Sequence, residues 1–113
     1  MNFLKQKKPL CPATQVTVNE KVFSISEYEI DNTAAQGQSI CGYMNQREQL
    51  IRYNREQHIQ QIKDTILHEL LHAIEYDLQL NLTEQQVHAM ATNLCAVFWN
   101  SDNKPLLDWL MKK

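Results

Sequence analysis

Between residues 14 and 30 hydrophobic and polar positions alternate. "TQVTV" is β-branched, and "KVFSISEYEI" sets Val22, Ser24 and Ser26 against Phe23 and Ile25. A period of two sends each set to one face of a sheet, so both stretches are expected as strands, joined in a hairpin at Asn19-Glu20. "DNTAAQGQS" reads as a polar loop. "ICGYMN" and "QLIRYN" read as two further short strands, with "QRE" between them.

From residue 55 to about 78 the period changes. Ile59, Ile62, Ile66, Leu67, Leu70, Ile74 and Leu78 recur at steps of three and four, the signature of an amphipathic helix. Asn54, with Gln57 three residues on, is the expected cap. Thr83 and Gln86 form a second capping box. The helix it opens is expected to run to about Trp99, with Val87, Met90, Ala91, Leu94, Cys95 and Phe98 as its apolar stripe. "SDNKP" breaks the pattern, and "LLDWLMK" suits a short last helix. A small antiparallel sheet followed by helices is an α+β domain. "KQKKP" and "CPA" discourage regular structure, so residues 1–13 are expected as a flexible arm and 14–113 as one domain.

Composition narrows the function. The chain has 113 residues, a formal net charge of −2, two glycines and three cysteines. That length suits one domain. The charge argues against nucleic-acid or membrane-surface partners, which call for a basic face. Two glycines leave no Gly-rich phosphate loop. No apolar run is long enough for a membrane span, and the opening residues lack the apolar stretch of a signal peptide. Cys11, Cys41 and Cys95 form no CxxC pair, so neither a disulfide framework nor a zinc ribbon is indicated. A reducing, cytoplasmic setting follows.

Within the first helix "DTILHELLHAIE" holds His68-Glu69-Leu-Leu-His72. At about 100° per residue, His72 lies about 40° from His68 and Glu69 about 100°. Ile59, Ile62, Ile66, Leu70 and Ile74 fall at roughly 120° to 240°. The histidines thus share one side of the helix and can reach one ion. Zinc binds neutral imidazole, and a catalytic site uses three protein ligands plus water. Glu69 is placed to take a proton from that water as general base and to return it to a leaving amine.

A third ligand is required. Glu84 and His88, four apart at the start of the second helix, are the candidates, and both are chemically sound. If the second helix folded straight back beside the first, Glu84 would lie about 10 Å from the histidines along the axis. Its use requires the first helix to end near Tyr76 to Leu78, or the helices to cross steeply. On that geometry His88 is slightly closer.

"TILHELLHAIEYDLQLNLTEQQVHAMATNL" resembles the core of the small, often phage- or prophage-encoded zinc metallopeptidases related to the ImmA/IrrE group. There the HExxH helix is followed by a helix of the type Glu-x-x-apolar-x-x-x-Ala, matched here by Glu84, Val87 and Ala91. "GYMNQREQLIRYN" is similar to that family's Gly-Tyr hairpin. The resemblance spans roughly residues 40 to 100. It implies a minimal zincin-like, gluzincin-type fold, with Glu84 rather than His88 as third zinc ligand. It also implies a sheet edge that holds an extended peptide by strand addition.

The leading expectation is therefore a zinc-dependent peptidase with His68, His72 and Glu84 on the metal and Glu69 as base. Its partner is a peptide or protein substrate, and a second protein can complete the cleft. The alternative is a non-catalytic zinc-binding accessory module that docks a partner protein. A metal-free helical scaffold is the third reading. Glu75 is expected as a solvated surface residue and Tyr43 as a half-buried strand residue rather than an oxyanion donor. His58 is expected at the surface and Cys95 in the core. Phe98, Trp99 and Trp109 are expected to close the core at the C-terminal end.

Overall fold

In the computed structural model, which describes residues 9–29 and 41–113, a four-stranded mixed sheet carries three helices. The strands are β1 (Gln15–Val18), β2 (Lys21–Tyr28), β3 (Gly42–Asn45) and β4 (Leu50–Asn54). The helices are α1 (Ile59–Leu78), α2 (Glu84–Trp99) and α3 (Lys104–Leu110), with a 3-10 turn at Ser101–Asn103 before the last. The domain is α+β, as the change of hydrophobic period indicates. Residues 1–8 of the expected arm and the whole "DNTAAQGQS" loop lie outside the described residues.

The β1–β2 hairpin turns at Asn19 and Glu20, whose φ values of 48° and 72° are both positive. Two left-handed central residues make a turn whose twist matches that of its strands. β3 and β4 pair antiparallel, with Asn45 opposite Leu50. The expectation of a purely antiparallel sheet is corrected at its centre. The strand order is β1-β2-β4-β3, and β2 pairs with β4 in parallel, Ser24 opposite Leu50 through Tyr28 opposite Asn54. Side-chain alternation fixes which residues face inward, not the direction of a neighbour. β3, which follows β2 in the chain, lies beyond β4 at the edge of the sheet, so β3 belongs to the crossover a parallel pair needs.

Phe23, Ile51 and Val18 form the inner face of the sheet and meet Ala73 of α1, with Ile25, Met44, Leu70 and Ile74 around them. Gly42 of β3 lies against Thr65 of α1. A Cβ there would lie 2.5 Å from Thr65 Cγ2 and 2.6 Å from the Arg52 carbonyl oxygen. No larger side chain fits that contact.

The start of α1 differs from expectation. His58, not Asn54, is its N-cap, its ring nitrogen accepting the Gln60 N–H at 3.3 Å. Asn54 is buried at the end of β4, and its side chain accepts the Glu56 N–H at 2.9 Å. The ladder explains the delay. Asn54 N–H donates to the Cys41 carbonyl and Arg55 N–H to that of Tyr28, so the ladder holds the backbone to the end of β4, and a bend at residues 55–57 separates it from α1.

At its other end α1 closes with a Schellman arrangement. Gln79 is left-handed (φ 55°), Leu80 N–H donates to the Glu75 carbonyl at 3.0 Å, and Gln79 N–H donates to that of Tyr76 at 3.2 Å. Thr83 and Gln86 form the expected reciprocal capping box, at 3.1 and 2.8 Å. α2 packs on α1 through Val87, Ala91 and Cys95, all buried.

The chain just before β1 is tied down. Leu10 N–H donates to Glu27, Cys11 N–H to the Tyr53 hydroxyl, and Tyr53 in turn to Glu27 at 2.6 Å. Burial pushes the Tyr53 hydroxyl up to about 12, and its bond to Glu27 adds to the rise.

The C-terminal aromatics do not close the core. Phe98, Trp99 and Trp109 are 42%, 45% and 70% exposed, and α3 buries none of its residues. The cause is the register of the helix pair. Thr92 of α2 donates to Asp64 of α1, so Phe98 and Trp99 come level with the beginning of α1 and find little there to pack against.

Candidate metal centre

α1 carries His68, Glu69 and His72 with its buried arc running through Ile62, Thr65, Glu69 and Ala73. On the wheel that arc spans about 60° to 140° from His68. It is therefore turned toward Glu69 from the apolar stripe read in the sequence, and Ile59 at the stripe's centre is left 42% exposed. The helix sits between the sheet and α2, and this rotation presses Glu69 against the body while His68 lines the cleft and His72 stands one turn further along α1.

The two imidazoles lie side by side, ring centroids 4.9 Å apart. Glu84, the first residue of α2, bridges them. One carboxylate oxygen meets His68 Nε2, and the other meets His72 Nε2 at 2.8 Å. These donor atoms all lie within 4.8 Å of one another. Slight burial pushes the Glu84 carboxyl up, but the two facing imidazoles outweigh it and hold the group below the ordinary carboxylate value.

The linker Gln79–Thr83 makes this possible. α1 ends at Leu78, within the range the Glu84 reading required. The chain must then run back about two helical turns, roughly 11 Å. Five residues have the reach for it, since a chain covers at most about 3.3–3.6 Å per residue. Leu82 N–H reaches a Glu75 carboxylate oxygen at 3.4 Å on the way.

Glu69 is 8% exposed. Burial pushes its carboxyl above the usual range; His68 and His72 pull it back without cancelling the rise, and Glu84 adds to it. A cleft of about 400 Å³ opens in front, with Gly42, Asp64, His68, Glu69, Glu84 and His88 on its walls. The His88 ring lies 6.0 Å from that of His68, outside the group of three converging donors.

Two residues stand closer to the site than the sequence suggested. Asp64 lines the cleft, and its place four residues before His68 was the available signal. Glu75 is not solvated: its side chain is 14% exposed, and one oxygen lies 3.4 Å from His72 Nδ1. Tyr43 is directed elsewhere, its hydroxyl accepting an Arg52 N–H at 3.3 Å on the outer face of the sheet. Cys95 is buried, as expected.

Two imidazole nitrogens and a carboxylate match the donor set of a catalytic zinc site, which leaves a fourth position for water or substrate. A purely structural ion would call for a fourth protein ligand. Among the described residues no helix is long and apolar enough to cross a membrane. Comparison with protein-family models, curated proteins and solved structures finds no match to this chain.

Proposed function

We propose that this chain is a zinc-dependent metallopeptidase of the ImmA/IrrE-related type, hydrolysing peptide bonds. The observation that carries the reading is the meeting of His68 Nε2, His72 Nε2 and the Glu84 carboxylate at one spot, with buried Glu69 on the wall of the same cleft. His68, His72 and Glu84 would hold the ion. When bound, zinc supplies Lewis acidity that acidifies water and offsets developing negative charge.

The chain's own residues do the rest. The Glu69 carboxylate, given raised proton affinity by burial, takes a proton from the attacking water and returns it to the leaving amine nitrogen. Among the described residues β3 is an edge strand beside the cleft. Its outward backbone groups suit an extended peptide added as a further strand.

Glu69→Gln is the test. The variant is expected to bind one zinc per chain by elemental analysis, as the parent does, and to lose hydrolysis of a peptide substrate by about 10²–10⁴-fold. Loss of zinc together with activity would make Glu69 structural. A parent chain that takes up no zinc on reconstitution would select the metal-free scaffold.

A second reading, a non-catalytic zinc module that binds a partner protein, requires His88, whose ring stands 6.0 Å from that of His68, to move in as a fourth ligand. There His88→Ala would weaken zinc binding as much as Glu84→Ala, the behaviour of a closed four-ligand site.

A further inference from the structure

The geometry points to Glu75 as the positioning residue of the His–His–Glu cluster, its carboxylate fixing both the His72 ring and the linker that delivers Glu84. The inference rests on the metal-binding reading above and assigns a role to a residue outside the ligand set.

Glu75 stands one turn beyond His72 on α1. Its Oε1 lies 3.4 Å from His72 Nδ1, and its Oε2 accepts the Leu82 N–H at 3.4 Å. A neutral imidazole carries one N–H and one lone pair. A carboxylate at Nδ1 calls for the N–H there, which leaves the lone pair on Nε2, the atom that faces the cluster. Such outer carboxylates orient ligating histidines and raise their basicity. The setting strengthens the contact, because the side chains of Glu75 and His72 are only 14% and 18% exposed.

The second oxygen acts on Glu84. The Glu84 side chain is 71% exposed, and apart from the two imidazoles it bridges its position depends on where α2 begins. That start is set by the linker. Glu75 grips the linker twice, through its main-chain carbonyl on Leu80 N–H and through its side chain on Leu82 N–H. Leu82 immediately precedes Thr83, the cap of α2. Gln79 and Asn81, both at positive φ, lie within the same five residues, and a linker of that conformation needs contacts to hold it. One carboxylate therefore couples the aim of one ligand to the placement of another.

The test compares parent, Glu75→Ala and Glu75→Gln by two measurements. The first is zinc affinity by competition with a chromophoric chelator. Glu75→Ala is expected to weaken binding by about 10–100-fold. Glu75→Gln keeps one acceptor oxygen and is expected in between, provided circular dichroism shows it folded. The second is hydrogen exchange of the Leu82 amide in the zinc-free chain. Glu75→Ala is expected to speed it by about tenfold or more, the loss of a hydrogen bond to a charged group. Parent-like zinc affinity in Glu75→Ala would overturn the inference, as would a Leu82 amide already unprotected in the parent. A parent that binds no zinc overturns the functional reading instead, and the Leu82 exchange then still decides whether Glu75 holds the linker.

Discussion

At the scale of single residues, close contact and buried charge set the strongest expectations. Gly42 leaves no room for a methyl group between Thr65 and the Arg52 carbonyl. Gly42→Ala is expected to destabilise the fold by about 1–3 kcal/mol, the cost of overpacking, measured by urea denaturation. Glu27 gives a pH dependence. Burial raises its carboxyl, but bonds from Tyr53, Leu10 N–H and Arg55 outweigh this and hold it below the ordinary value. A carboxylate depressed in the folded state contributes stability above its unfolded value of about 4.3 and loses it as pH falls through the lower folded value. Parent stability is therefore expected to fall more steeply than that of Glu27→Gln between about pH 5 and pH 3, read from denaturant midpoints. The pairing of His68 with His72 was legible because helical periodicity alone places them together. Neither the Gly42 contact nor the Glu27 clamp was, since each joins residues distant in the chain.

At the scale of elements, the caps divide by how local they are. The Thr83–Gln86 box is legible because its partners are three residues apart. The α1 cap moved from Asn54 to His58 because sheet pairing with Cys41 and Tyr28 holds the preceding backbone extended. The other end of α1 carries a testable strain. Gln79 occupies a left-handed position that ordinarily falls to glycine. Gln79→Gly is expected to raise stability by about 1 kcal/mol, measured as a shift in the urea midpoint at unchanged slope.

At the scale of the molecule, packing is uneven. The radius of gyration is 15.5 Å, against about 13 Å for a compact chain of this length. α2 sits far enough along α1 for Glu84 to meet the histidines. The same displacement leaves Phe98, Trp99 and α3 without cover. Substitutions should follow that division. Ile62→Ala, in the core at 1% exposure, is expected to cost about 2–5 kcal/mol. Trp109→Ala, at 70% exposure, is expected to stay within about 0.5 kcal/mol. A large loss at Trp109 in the same denaturation assay would show that α3 is buried against something in solution.

Helix and strand periods, the Asn19-Glu20 turn, the Thr83 cap and the HExxH pairing were all written in neighbouring residues, because each depends on geometry within a few positions. Which way β4 runs beside β2, how far α1 turns toward Glu69 and whether Glu84 or His88 approaches the histidines were left to the tertiary structure. Those outcomes depend on strand pairing between residues far apart in the chain and on the Gln79–Thr83 linker, where backbone reach and long-range hydrogen bonds, not periodicity, choose among arrangements with the same local pattern.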